Sequence, residues 1–310
     1  MNFKRVSPLA AFFFSVFVAT SLPGQTSPWP FPSRSAGAQS QAAGTPVRAA
    51  FWNIKWFPGG RPNAYKGEEV NQTRAVHRDI PSLAADVIGF EEVRDFESAA
   101  LAVQPLPGFK VDVCSNFTPR EGQDVGQQIA IVSRLEPISA WAEEWKAGSA
   151  ITPPRGFAFA AYQVAPKQLL LVYALHLKSN RGDLLENIPI REESMRQLLA
   201  HMKDMESAYS KLGSIAWLVG GDFNTAPDDA RFAKEKTLAG LTSRGFRWSW
   251  EGMTLAQRIT LPPDKRFPAA CFDHIYYRGA TLKKAEAVQT SDAASDHRAI
   301  RAEFVLPASR

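Results

Sequence analysis

The stretch Ile215-Ala216-Trp217-Leu218-Val219-Gly220-Gly221-Asp222-Phe223-Asn224 carries the reading of the fold. Residues 215–219 form an uninterrupted apolar run of strand length. Two glycines end it, and an acid and an amide follow. Such a run, bounded by glycine, is the pattern of a strand buried on both faces. The arrangement recurs along the chain. Asn53 follows Ala49-Ala50-Phe51-Trp52, and Glu91 and Glu92 follow Val87-Ile88-Gly89-Phe90. His176 follows Leu171-Val172-Tyr173-Ala174-Leu175, and Asp273 and His274 interrupt a run of Cys271, Phe272 and Ile275. Asp296 and His297 stand just before Ala299-Ile300. A single acid at a strand end is ordinarily a turn former or a helix cap. Six such sites need a common cause, because ionised carboxylates beside a core are costly unless paired or metal-bound.

Around these junctions the chain alternates strands with helices. Strands are expected over residues 47–52, 86–90, 128–132, 169–175, 270–277 and 299–306. Residues 69–80 read as a helix that Pro81 ends. The clearest helix is expected to begin near Pro189, a good first-turn residue, with Met195, Leu198, Leu199, Met202, Met205 and Tyr209 on its apolar face. Strands in both halves predict two sheets packed face to face with helices outside.

Composition is that of an ordinary globular chain: 310 residues, 45% hydrophobic and 22% charged. This excludes wholesale disorder and allows a core without metal or disulfide staples. No apolar run approaches the roughly 18–20 residues of a membrane span, so no stable membrane insertion is expected. The formal net charge is +5, with Lys4, Arg5, Arg34 and Arg48 in the first 50 residues and no acid there. Without residues 1–38 the chain carries 33 basic against 31 acidic residues, so global charge alone does not argue for nucleic acid. Residues 1–24, with Lys4 and Arg5 before an apolar stretch rich in Phe12, Phe13, Phe14 and Phe17, read as a secretory signal. Residues 25–46, rich in Ser, Pro, Gly, Ala and Gln, read as a flexible linker, and residues 47–310 as one catalytic domain. The expected location is secreted or periplasmic. Cys114 and Cys271 are the only cysteines, and sequence leaves a single disulfide and two buried thiols equally open.

Carboxylates with an amide suit a hard cation such as Mg²⁺, which takes oxygen ligands. Histidines with acids nearby suit proton transfer near neutral pH. Together they point to metal-assisted hydrolysis of a phosphoester. The ordered series Phe51-Trp52-Asn53-Ile54, Glu91-Glu92-Val93-Arg94-Asp95, Leu175-His176-Leu177, Gly221-Asp222-Phe223-Asn224, Phe272-Asp273-His274-Ile275 and Ser295-Asp296-His297 resembles the endonuclease/exonuclease/phosphatase superfamily, typified by pancreatic-type DNase I.

The resemblance implies an α/β fold: a four-layered sandwich of two packed, mainly antiparallel sheets flanked by helices, with the site where loops of the two sheets meet. It implies Glu92 as the main ligand of Mg²⁺ (or Mn²⁺ or Ca²⁺), with Asn53 and Asp296 at the same cation. Asp222 and Asn224 look like the pair that positions water and phosphate. His297 matches the general base and Asp273 the carboxylate that orients it. His176 matches a second histidine that binds phosphate or protonates the leaving oxygen, and Asn53 and Asn224 also contact substrate. In DNase I a glutamate holds that second histidine; here the candidates are Gln127 and Gln128, which favours phosphate binding by a neutral His176.

For other residues the plain reading comes first. Strand alternation should turn Glu91 away from Glu92 and His274 away from Asp273. His77 and His201 are expected to be solvated. Arg134, Lys178, Ser179, Asn180 and Arg181 lie near strand ends that carry the site, and phosphate binding and plain surface charge are equally open for them; Trp248 and Trp250 read as part of a half-buried strand. The expected function is that of an exported, monomeric, metal-dependent nuclease with DNA as substrate. The alternative is a phosphoesterase for lipid or small molecules, sphingomyelinase-like or acting on inositol phosphates. No aromatic hairpin for membranes stands out in the sequence, and residues 58–67 and 178–187 are the loops expected to set substrate choice.

Overall fold

The computed structural model describes residues 44–118, 127–148 and 150–308. The expected signal, 1–24, and residues 25–43 of the expected linker lie outside the described residues. The strands are β1 (Thr45–Phe57), β2 (Val87–Val93), β3 (Lys110–Cys114), β4 (Gln128–Ser133), β5 (Pro137–Glu144), β6 (Gly156–Ala165), β7 (Gln168–His176), β8 (Ser214–Asp222), β9 (Arg247–Trp248), β10 (Asp273–Arg278), β11 (Thr281–Val288) and β12 (Ala299–Leu306). Four α-helices accompany them among the described residues: α1 (Lys66–Asp79), α2 (Phe96–Ala102), α3 (Leu184–Tyr209) and α4 (Thr237–Thr242).

The strands form two six-stranded sheets, ordered β11-β12-β1-β2-β4-β3 and β5-β6-β7-β8-β10-β9. Each sheet is antiparallel except for one parallel pair, β1 with β2 and β7 with β8. Phe51, Ile129 and Ile131 of the first sheet pack against Val172, Leu218 and Ile275 of the second. Trp52, Ile88 and Phe90 face the other way, toward Val76 and Ala99 of α1 and α2. Leu171, Tyr173 and Trp217 pack on Met195 and Leu198 of α3 and Leu241 of α4. The result is the four-layered sandwich, and it explains why central strands are apolar at every position: both faces are covered. Two glycines permit the closest approach of the sheets. A Cβ on Gly89 or on Gly220 would fall within the Phe51 ring.

This topology delivers the polar junctions to one edge. Parallel pairs end together, so β1, β2, β7 and β8 place Asn53, Glu91, Glu92, His176 and Asp222 on the same side. The antiparallel partners begin there: Asp273 opens β10 opposite Asp222, and Asp296-His297 precede β12.

Local boundaries differ from the sequence expectations in two instructive places. Helix α3 begins at Leu184 rather than near Pro189, which sits inside it. The Asp183 side chain accepts a hydrogen bond from the Leu185 N–H and sets the start, which outweighs the one backbone bond a proline cannot donate. Strand β1 runs past Asn53 to Phe57, with Lys55 and Trp56 in the left-handed region. The cysteines are two free thiols, Cys271 between the sheets and Cys114 against the α1/α2 layer. Burial pushes each up to about 12. Among the described residues no helix is long and apolar enough to cross a membrane.

Candidate active site

Asp222 is the centre of the polar cluster. It ends β8 beside His176 of β7 and opposite Asp273 of β10. Its Oδ1 accepts from the Asn224 N–H at 2.9 Å, a turn that holds Asn224 at φ 54°. Its Oδ2 accepts from Asn53 Nδ2 at 3.2 Å and faces His176 Nε2 at 3.6 Å and His297 Nε2 at 4.0 Å. Three residues expected from sequence therefore converge on one oxygen.

Glu92 joins them through a β-bulge. It sits at φ 62°, the register of β2 against β4 shifts between Glu91 and Val93, and that of β1 against β2 shifts between Asn53 and Phe57. Its Oε1 accepts from Asn53 Nδ2 at 3.3 Å and lies 3.8 Å from His176 Nε2, while Oε2 accepts from the Trp56 N–H at 3.2 Å. The extended end of β1 supplies that donor, and the Lys55 N–H donates to Asn53 Oδ1 at 3.0 Å. His297 Nδ1 meets Asp273 Oδ2 at 3.0 Å. The loop carrying it is fixed by Trp52 Nε1 donating to the His297 carbonyl at 3.0 Å and by Ser295 Oγ donating to the Asn53 carbonyl at 2.6 Å. Asp296 lies at the exposed rim, paired with Lys55 at 3.1 Å.

The bulge also corrects the reading of Glu91. Without it, alternation would send one of the two glutamates outward; with it, both face the site. Glu91 is 0% exposed, and neither of its carboxylate oxygens has a hydrogen-bond partner. Gly221, at φ +126°, makes its room: a Cβ there would lie 2.6 Å from Glu91 Oε1. Burial, then the charges of Asp273 and Asp222, hold the Glu91 carboxyl well above the usual range. Burial likewise raises Glu92, and burial with the Asp273 charge pushes Asp222 up to about 7. Burial pulls His297 down, but the Asp273 charge and hydrogen bond, with Asp222, outweigh it and keep the imidazole well above its ordinary value.

Four carboxylates, three of them buried and Glu92 nearly so, against two imidazoles is an excess of negative charge that the described side chains do not neutralise. The orphaned oxygens of Glu91 show the same deficit of donors. Ligand atoms of Asp222, Asp273 and His297 lie within 4.8 Å of one another. This donor set, oxygen-rich and free of thiolate, fits a hard divalent cation. One consequence concerns stability. In chelator-treated protein, Glu91→Gln is expected to raise the unfolding free energy by about 1 kcal/mol or more, since it removes an unpartnered buried charge. A carboxyl raised in the folded state stabilises below its unfolded value near 4.5 and loses that contribution as pH rises. The gain should therefore grow from pH 4.5 to 8; urea midpoints that coincide across this range would refute it.

The remaining expectations divide. His274 turns away as predicted and is a core residue: Nε2 meets the Thr225 carbonyl at 2.9 Å, Trp248 Nε1 donates to Nδ1 at 3.1 Å, and burial lowers it to about 4. His201 is not solvated; it packs among Trp141, Phe157, Phe159 and Tyr173, with Nδ1 2.8 Å from the Tyr173 hydroxyl. His77 Nε2 lies 2.7 Å from the Leu101 carbonyl. Arg134 pairs with Asp86, the residue just before β2, at the end of the strand away from the site. Of the expected strand through Trp248 and Trp250, only Arg247–Trp248 is formed, and Trp250 just beyond it is fully buried. Asn180 is no surface residue in function: Nδ2 donates to the Asn224 carbonyl at 2.8 Å, and Oδ1 accepts from the buried Arg191, itself paired with Glu235 at 2.7 Å.

Two supporting residues escaped the sequence reading. Gln72 of α1 is buried; its Nε2 donates toward the Ile54, Lys55 and Ala294 carbonyls at 2.9 Å each, tying the end of β1 to the loop before His297. A lone Gln on a helix gives no sequence signal. Gln128 is spent on Ser115 and Phe117, while Gln127 accepts from Arg155 Nη1 at 3.0 Å. Arg155, just before β6, is the second.

Comparison with known proteins agrees with this fold. A family model described as "Endonuclease/Exonuclease/phosphatase family" matches residues 50–297. A UPF0294 protein of Vibrio vulnificus is 28% identical over 160 residues, 51% of this chain and 47% of its own length. The chain thus spans about half the length of the curated relatives it matches. An endonuclease/exonuclease/phosphatase structure from Beutenbergia cavernae superposes with a TM-score of 0.65 at 15% identity, over 86% of this chain and 72% of that one. The catalytic domain of human nocturnin, solved with a bound sulfate anion, gives 0.61 at 15% identity, over 86% and 95%.

Proposed function

The chain belongs to the endonuclease/exonuclease/phosphatase family, and from this we propose that it is an exported, divalent-metal-dependent phosphodiesterase that hydrolyses nucleic acid, DNA first. Enzymes of the family generally hydrolyse phosphoester bonds and depend on a divalent metal. The observation that carries the reading is the convergence of Asn53, His176 and His297 on Asp222 Oδ2, with Asp273 behind His297 and Glu92 beside Asn53.

Each side chain then has a task. The Asp273 carboxylate takes the Nδ1–H of His297, so the Nε2 lone pair faces the site. The 4.0 Å between that Nε2 and Asp222 Oδ2 suits a water that donates one hydrogen to each. His297 takes the proton as the oxygen attacks phosphorus in line with the leaving oxygen, and Asp222 holds the water in place. His176 Nε2 donates to a phosphate oxygen as neutral imidazole. Glu92, Asn53 and Asp296 would hold Mg²⁺, or Mn²⁺ or Ca²⁺. When bound, a hard divalent cation draws charge from the phosphate and offsets the carboxylates that otherwise keep His297 protonated. Export rests on the composition of residues 1–24, and the monomer on a site whose side chains all come from one chain.

One observation favours the lipid reading as second. The Leu261↔Ala270 bridge closes a turn just before β10, and Phe267 on it is 60% exposed beside exposed Lys265 and Arg266. An aromatic side chain flanked by cations suits an anionic lipid surface. Supercoiled plasmid, single-stranded DNA, sphingomyelin in vesicles that also contain anionic lipid, and inositol phosphates, offered in parallel with Mg²⁺, separate the two. DNA turnover above the others is expected. Sphingomyelin turnover without DNA cleavage, reduced in Phe267→Ala, would replace it with the lipid reading.

A further inference from the structure

Arg155 lies at φ 67°, one residue before β6, and its guanidinium makes three directed contacts. Nε donates to the His176 carbonyl at 2.9 Å, Nη2 to the Leu177 carbonyl at 2.7 Å, and Nη1 to Gln127 Oε1 at 3.0 Å. The two carbonyls belong to the residue proposed to bind phosphate and to its neighbour. A planar guanidinium meets both carbonyls and Gln127 with donors in a fixed fork; an ammonium, a point charge on a flexible stem, holds no such fixed geometry.

The Leu177 carbonyl has a second donor, Asn224 Nδ2 at 3.1 Å. A carbonyl oxygen only accepts, so this contact decides which end of the Asn224 amide is nitrogen. The amide oxygen is left at the other end, and it takes no hydrogen bond among the described residues. Asn224 can therefore accept from a water through Oδ1, and its Nδ2 keeps one hydrogen beyond the one given to Leu177. Leu177 is fixed from its other side as well, its N–H donating to the Asp222 carbonyl at 2.9 Å. Arg155, Leu177, Asn224 and Asp222 form one connected chain of hydrogen bonds.

We infer that Arg155, seated on Gln127, is a positioning residue of the active site: it clamps the His176 and Leu177 carbonyls and, through Leu177, sets the Asn224 amide with its oxygen toward the attacking water. The inference rests on the hydrolytic reading above. It also accounts for the chain's departure from DNase I at Gln127, whose amide serves to hold a cation where a carboxylate would hold a histidine. The guanidinium is close enough to Glu92 for its charge to favour the ionised carboxylate there.

A double-mutant cycle between Arg155→Lys and Asn224→Ala tests it on the full chain. Arg155→Lys is expected to lower kcat by about 10–100-fold, the cost of a misplaced group near the chemistry, with KM changed less. The loss caused by Arg155→Lys should be several-fold smaller on the Asn224→Ala background than in wild type, the remainder acting through the His176 carbonyl; fully multiplied losses would overturn the inference. Mn²⁺ affinity gives a readout that loosened packing would not produce. Arg155→Gln, having lost a positive charge beside Glu92, should bind Mn²⁺ at least as tightly as wild type while turning over more slowly. Weaker Mn²⁺ binding would count against it. If wild type hydrolyses no phosphodiester, the functional reading fails by itself. The Asn224 side-chain NH₂ still decides the inference by NMR: exchange that is slow in wild type and fast in Arg155→Lys supports it, and equal rates overturn it.

Discussion

His297→Ala is expected to cut hydrolysis by about 10²–10⁴-fold, the usual contribution of a positioned acid–base group. The geometry ties that loss to one atom. Nδ1 is committed to Asp273 at 3.0 Å, so only Nε2 can receive the proton of a water near Asp222. Alanine leaves the backbone contacts of this residue in place, since Trp52 and Ser295 bind its carbonyl and N–H. It does strip Asp273 of its partner, and His297→Gln restores a donor there without a base. Both variants should lose turnover, and both should keep Mn²⁺ affinity within a few-fold of wild type. Asp273→Asn should fail for a related reason: an amide nitrogen facing Nδ1 favours the tautomer with its hydrogen on Nε2, where no proton can be accepted. Rates near wild type in His297→Gln, at any pH from 6 to 9, would remove His297 from the proposed role.

Glu92→Gln addresses the cation rather than the proton. Substituting groups that merely support a ligand typically costs 10–100-fold in metal affinity, so neutralising a ligand should cost at least that much. The Mg²⁺ concentration for half-maximal rate is expected to rise by about 100-fold or more, with partial recovery of rate at saturating metal. The bulge at φ 62° accepts glutamine without backbone change, and its amide oxygen can keep the Trp56 contact, while its NH₂ cannot accept from Asn53 Nδ2. Asp296→Asn is the informative companion. Its carboxylate is half exposed and shared with Lys55, so its loss should shift the titration by less than that of Glu92. An unchanged midpoint in Glu92→Gln, or a larger shift in Asp296→Asn, would move the metal assignment elsewhere.

What could be read in advance follows from the range of the interactions. The two sheets and the site edge are written in short apolar runs ending in polar residues, a local pattern that survives in a single strand such as 215–224. The bulge at Glu92 is not local. It depends on Asn53 and Trp56 from the neighbouring strand, so alternation alone wrongly turned Glu91 away from the site. The start of α3 was misplaced because Pro189 is a conspicuous signal and Asp183, an ordinary loop acid, is not. His201 and Asn180 look like surface residues in sequence, and only the packing of α3 against β6 and β7 and the Arg191–Glu235 pair give them partners. Arg155 and Gln72 support the site through backbone carbonyls, contacts for which no residue spacing exists to be recognised.

Nicking of supercoiled plasmid by purified protein, with Mg²⁺, with EDTA, and beside His297→Gln, is the most direct test of metal-assisted hydrolysis. Conversion of supercoiled to open-circular DNA in Mg²⁺ alone, absent in EDTA and in the variant, is the predicted result. Equal nicking in EDTA, or by His297→Gln, would contradict metal-assisted attack by a His297-activated water.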